Sequence, residues 1–420
     1  MILRVLLIIL LVNTLVAKKS NDSNLLKNEW WMRTWNKDSL PGISLNAAFH
    51  NNNLPKQNTD TIIIAVLDSD FDTKHKDLKE YFWVNQNEIS NNSLDDDSNG
   101  YVDDKYGWNF LGIKGQKKAL TFTLMDETRI LSKYSEEAFG NLKEEKGLPF
   151  TFEEVKKSYD SIISEIKQDI EYNNQIIQGY SKTIEMLELK PNDSVIDFST
   201  INSDNIENES LQQWVEYLSY LFDESYNYTD VLHDLKISEK CLEICMNLNY
   251  DNRELVGDNY TNFLNINYGN SYFNQNSRFL EHGTAISGVI SSILQFQKNN
   301  GNTLIKIMPI TITGIGDFTD KNLSLGIRYA VDNGAKIINI SQGKKFSIQE
   351  DFVDDALKYA ETHDVLIVNS AGNENENADD IIKYPNDVNN KDKEIVNNFI
   401  VVGGSTKSIN KNLREGDSRV

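Results

Sequence analysis

The stretch "TIIIAVLDSDFDTKHKDL", Thr61 to Leu78, begins with an unbroken apolar run and ends among acids and a histidine. A run such as Ile62-Ile63-Ile64-Ala65-Val66-Leu67, with no polar alternation, is the pattern of a strand buried on both faces, as in parallel sheets. Asp68 closes it and sets a charge where the strand meets its loop. Four more runs rich in Ile and Val read the same way: Leu304–Ile310, Lys336–Ile340, Val365–Asn369 and Phe399–Val402. Helical spacing marks Gly283–Ile293, Leu323–Asn333 and Gln349–Thr362 between them. Strands alternating with helices predict an α/β fold, a parallel β-sheet flanked by helices.

The middle of the chain differs in kind. From about Lys114 to Asn270 there is little strand signal, and Val155, Tyr159, Ile162, Ile166, Ile170, Ile177, Tyr180, Ile184 and Leu187 recur at helical steps. Thr151 and Glu154 form a capping-box pattern at the start, and further helices are expected near Leu211–Leu221 and Val231–Met246. Residues 111–270 therefore read as an acidic α-helical insertion that divides the α/β domain into 18–110 and 271–420.

The chain has 42 Lys plus Arg against 63 Asp plus Glu, a net charge of -21, which repels phosphate backbones and excludes nucleic acid as a partner. The opening "MILRVLLIILLVNTLVA", residues 1–17, has a basic residue, a short apolar core and a small-residue end, the pattern of a secretory signal peptide. The core is too short to span a bilayer, so the expectation is a secreted or periplasmic protein without stable membrane insertion. Cys241 and Cys245, four apart in a helical stretch, are expected to be small buried hydrophobes rather than a bridge or a zinc framework.

In open parallel sheets, ligands and reactive groups gather at the C-terminal ends of strands. Asp68 lies at one such end, Ser341, Gln342 and Gly343 follow "KIINI", and Asn373 follows "VLIVNSAG". His282 opens the helix "HGTAISGV", whose Gly283, Ala285 and Gly288 allow close packing. Alone, an aspartate at a strand end is a turn former and a histidine at a helix start is a cap. In order along the chain, these boxes resemble those of the subtilisin-like serine peptidases. The resemblance covers about Trp30–Phe110 and Phe279–Val420. It implies polypeptide substrates and no required cofactor. Asp68 would orient His282, His282 would be the base, Asn373 would donate to the oxyanion, and Ser341–Gly343 would pair with substrate backbone.

The chain departs from the family's pattern at the nucleophile. No Gly-Thr-Ser occurs in it, and Ser405 follows a strand where the family has a structural turn. The closing "NLREGDSRV" resembles the family segment ahead of the serine box, so the expectation is a chain cut before its serine and inactive by itself. The alternative is a non-catalytic remnant that holds extended peptides at the Ser341–Gly343 edge. Asp70, where the family has Gly, is expected to raise the His282 pKa. Finally, Asp95, Asp97, Asn99, Gly100 and Asp103 match the first half of an EF-hand loop, with Tyr106 where that loop carries Glu. This stretch is either a calcium site or an Asx-rich turn.

Overall fold

The computed structural model describes residues 42–44, 61–189, 196–222, 226–259, 262, 265–273, 281–297, 305–373, 381–388 and 393–404. The expected leader (1–17), Ser405 and the closing stretch 412–420 lie outside these residues.

In chain order the elements are β1 (Ile62–Asp68), β2 (Trp108–Asn109), α1 (Asp126–Lys133), α2 (Glu136–Lys146), α3 (Phe152–Met186), α4 (Glu209–Leu221) and α5 (Tyr228–Lys240). There follow α6 (His282–Gln297), β3 (Ile305–Thr311), α7 (Asp320–Asp332), β4 (Ala335–Ile340), α8 (Glu350–Thr362), β5 (Leu366–Ser370) and β6 (Phe399–Val402). The six strands form one parallel sheet in the order β2-β3-β1-β4-β5-β6. The expected α/β architecture is therefore present, and each of the five strands read from the sequence is found within a residue of its expected ends.

The apolar run of β1 is buried on both sides because different helices cover the two faces. Ala65 and Leu67 join a core with Leu323 and Ile327 of α7 and Ala356 and Leu357 of α8. Val66 points the other way and packs with Phe71, Phe82 and Ile307, against Ile286 and Ile290 of α6. Each fully buried Val, Leu or Ile contributes about 1.5–3 kcal/mol, so β1 is a rigid element.

The chain divides into two compact units, and among the described residues the helical one is Lys156–Leu248. That is shorter than the expected 111–270, because residues 111–155 and 249–270 belong to the sheet-bearing unit. Leu111, Leu120, Val256 and Tyr268 enter its main core, and Phe139, Phe150 and Val155 pack with Phe346 and Ile348. The capping box at the start of α3 forms: the Glu154 amide donates to Thr151 Oγ1 at 3.2 Å and the Thr151 amide to Glu154 Oε2 at 2.6 Å. The helical unit has its own core of Ile176, Phe198, Leu218, Phe222 and Val231, and Tyr180 stacks on Tyr228 at 3.8 Å. Cys241 and Cys245 are buried and unbridged in a π-helical turn that continues α5. Among the described residues, no helix is long and apolar enough to cross a membrane.

Candidate active site

Parallel register aligns Leu67 of β1 with Ile340 of β4, and Ile340 with Asn369 of β5. Asp68, Ser341–Gly343 and Ala371–Asn373 consequently emerge on one edge of the sheet, at its C-terminal end. Asp68 is fully buried there. Its carboxylate accepts the Ser69 amide at 2.7 Å and, at 3.4 Å, the Gln342 side-chain amide. His282 Nδ1 lies 2.8 Å from Asp68 Oδ1 and 3.0 Å from Oδ2, so a proton on Nδ1 is shared with both oxygens. That bond leaves Nε2 on the far side of the ring, and the His282 side chain is 20% exposed. The adjacent Asp68 charge raises the His282 pKa, opposed by burial of the ring and helped by the hydrogen bond. Asp70 is buried nearby but is not a source of this rise, contrary to the expectation from its position.

Several contacts fix the first turn of α6 against the end of β1. Gly283 is required: a Cβ there would come within 2.8–2.9 Å of the Phe71 ring and of the Asp70 carbonyl. Thr284 Oγ1 accepts the Asp72 amide at 2.9 Å, and Thr311 Oγ1 donates to the Ser69 carbonyl at 2.9 Å. Gly288 does not share the role expected of it, since among the described residues nothing lies within 4 Å of where its Cβ would be.

The Ser341–Gly343 edge is braced from behind. Asn339 Nδ2 donates to Ser341 Oγ at 2.9 Å, and Lys344 and Tyr384 exchange backbone hydrogen bonds of 3.0 and 2.9 Å. The Lys344 ammonium is buried and sits 2.6 Å from Asp126 Oδ2 and 2.7 Å from Asp320 Oδ1. Burial opposes its charge, but the two carboxylates outweigh that and its pKa is raised. Lys344 and the Gln342 contact were missed in the sequence, because neither residue carries a local pattern that announces a partner more than 20 residues away. Asn373 stands exposed on the turn after β5, whose Ala371 amide donates to Val402 at 2.9 Å.

The acidic stretch after Val84 folds into a loop in which Glu88, Asp95 and Asp97 each offer an oxygen, all within 4.8 Å of one another. Asp103 lies outside this group, and Asn99 stays beside it, its amide donating to Asp95 Oδ1 at 3.0 Å and Asp97 Oδ1 at 3.2 Å. Asp103 accepts the amides of Asn92 and Ser93 at 3.0 Å each, and Asn99 Oδ1 accepts the Tyr101 amide at 2.8 Å. Glu88 was not anticipated, because it precedes the EF-hand-like spacing by seven residues.

A family model described as the Subtilase family matches residues 59–419. The cell wall-associated protease of Bacillus subtilis is 36% identical over 129 residues, which cover 28% of this chain and 13% of that protein. Subtilisin-like protease 1 of Plasmodium berghei is 44% identical over 57 residues, covering 13% of this chain and 10% of the relative. The matched segments thus span about a tenth of the length of these relatives. Among solved structures, the nisin leader peptidase NisP of Lactococcus lactis is similar over 32% of this chain and 44% of its own, at 22% identity and a TM-score of 0.24.

Proposed function

This chain belongs to the subtilase family, and on that premise we propose that its chemistry is the hydrolysis of peptide bonds, with Asp68 orienting His282 as the general base. The observation that carries the proposal is the pair of contacts, 2.8 and 3.0 Å, from His282 Nδ1 to a fully buried carboxylate. A carboxylate so placed holds the tautomer whose Nε2 accepts a proton from a serine hydroxyl, and it stabilises the imidazolium that results. The Ser341–Gly343 edge offers main chain for an extended polypeptide to add as a strand. The Asn373 amide donates to the oxyanion that develops on the attacked carbonyl.

The triad is complete when a serine hydroxyl reaches His282 Nε2. The leader-like residues 1–17 support a site of action outside the cytoplasm.

The test is mass spectrometry and fluorescence anisotropy with an unstructured, labelled polypeptide. Binding of the polypeptide is expected, and products that vanish in His282→Ala are expected of a form in which a serine hydroxyl reaches His282 Nε2. A serine-bearing form that neither binds nor cuts contradicts the proposal.

A further inference from the structure

Among the described residues, three donors share Asp68 Oδ1: the Ser69 amide at 2.7 Å, His282 Nδ1 at 2.8 Å and the Gln342 side-chain amide at 3.4 Å. Oδ2 receives His282 Nδ1 alone, at 3.0 Å. The donors come from three places: Ser69 follows β1, His282 opens α6, and Gln342 stands on the edge after β4, the strand that pairs with β1. Two of them are fixed by their surroundings. The Ser69 N–H is next to Asp68 in the chain, and the contacts of Gly283 and Thr284 hold His282 against the end of β1. Gln342 is half-buried between Ser341, whose Oγ accepts from Asn339 Nδ2, and the exposed Gly343. Its side chain reaches from that edge across to β1. An amide that satisfies a buried carboxylate is ordinary in itself. The oxygen it meets sets this one apart, because Oδ1 already holds two donors and is the oxygen closest to the imidazole.

We infer that Gln342 is a positioning residue of this site: by donating to Asp68 Oδ1 it tempers the pull of that carboxylate on the His282 ring and ties the carboxylate to the Ser341–Gly343 edge. The inference rests on the reading of Asp68 and His282 as the orienting acid and the base. A carboxylate oxygen shared among donors has less charge to lend each of them, so a third donor weakens its hold on the ring proton. Asp68 is the charge that raises the proton affinity of the ring. Among the described residues, Asp70 and Asp72 on the loop after β1 and the Lys344 ammonium behind the edge add nothing to that rise. A donor on Asp68 therefore acts directly on the base. Only a neutral ring accepts the serine proton, so the Gln342 amide lets His282 work at a lower pH than the bare pair would.

The test is NMR titration of the His282 ring in the whole chain, for the wild type, Gln342→Met, Asp68→Asn and the double variant. Methionine keeps the length and unbranched shape of glutamine and removes the donor. Gln342→Met is expected to raise the His282 pKa by about half a pH unit, and to leave it unchanged where Asp68→Asn is already present. Gln342→Glu sets a second carboxylate at the same reach and raises it further. A side chain that only filled space would change the urea midpoint and leave the pKa where it was. A His282 pKa equal in the wild type and Gln342→Met, or a rise of the same size in the Asp68→Asn background, would overturn the inference. The titration needs neither peptide nor serine, so a failure to bind or cut polypeptide counts against the proposed function and leaves this result standing.

Discussion

The proton affinity of His282 is raised by Asp68 against the opposing effect of burial, and the sign of the net effect determines its pH behaviour. Its folded pKa is raised by Asp68, so the folded state holds the proton more tightly than the unfolded chain does. The stabilisation is full below the unfolded value of about 6.5 and fades as pH rises through the folded pKa. The wild type is therefore expected to exceed His282→Gln in urea midpoint by more at pH 5.5 than at pH 8.5. Equal differences at both pH values would remove the electrostatic coupling. In the proposed chemistry the rate runs oppositely, because only the neutral ring accepts a proton, so a form with a serine in reach loses rate as pH falls below the raised pKa. Gly283 makes a steric prediction at the same scale. Gly283→Ala places a methyl within 2.8–2.9 Å of Phe71 and the Asp70 carbonyl, and is expected to cost about 1–3 kcal/mol in chemical denaturation while Gly288→Ala costs little.

Between elements, the decisive interaction is the buried Lys344, which joins the edge after β4 to α1 through Asp126 and to α7 through Asp320. Lys344→Met would take the shared cation from Asp320 and leave Asp126 with Arg129 alone, and is expected to cost about 3–5 kcal/mol in urea denaturation. Asp126→Asn leaves Asp320 in place and is expected to cost less; equal losses would mean that the pair does not share the ammonium. Strands and helices of the sheet were legible because a doubly buried strand is continuously apolar and a covering helix is periodic, as β1 and α8 are. Two-residue β2 was not legible: Trp108 and Asn109 owe their strand geometry to pairing with Ile310 and Thr311. The positions of α1 and α2 were equally hidden, since their packing partners Phe346 and Ile348 lie about two hundred residues away.

For the whole molecule, the extent of the helical unit follows from which residues share a core, and that sharing is not written in local periodicity. Ile176, Phe198, Leu218, Phe222 and Val231 bury one another, so residues 150–250 expressed alone are expected to give a helical circular-dichroism spectrum and a sigmoidal melt. A featureless, non-cooperative melt would mean that this core does not stand by itself. The candidate site was legible to the degree that Asp68, His282, Ser341–Gly343 and Asn373 each sit where a strand or helix visibly starts or ends. Gln342's contact and the charge on Glu88 were not, because both depend on three-dimensional closure of loops. The sheet, its two helical layers and the braced edge all serve to hold one imidazole against one buried carboxylate, and NMR titration of the His282 ring tests that most directly. The account predicts a low-field Nδ1 proton and a pKa above the ordinary 6.5, both lost in Asp68→Asn. A ring that titrates at its ordinary value and ignores Asp68→Asn would contradict it.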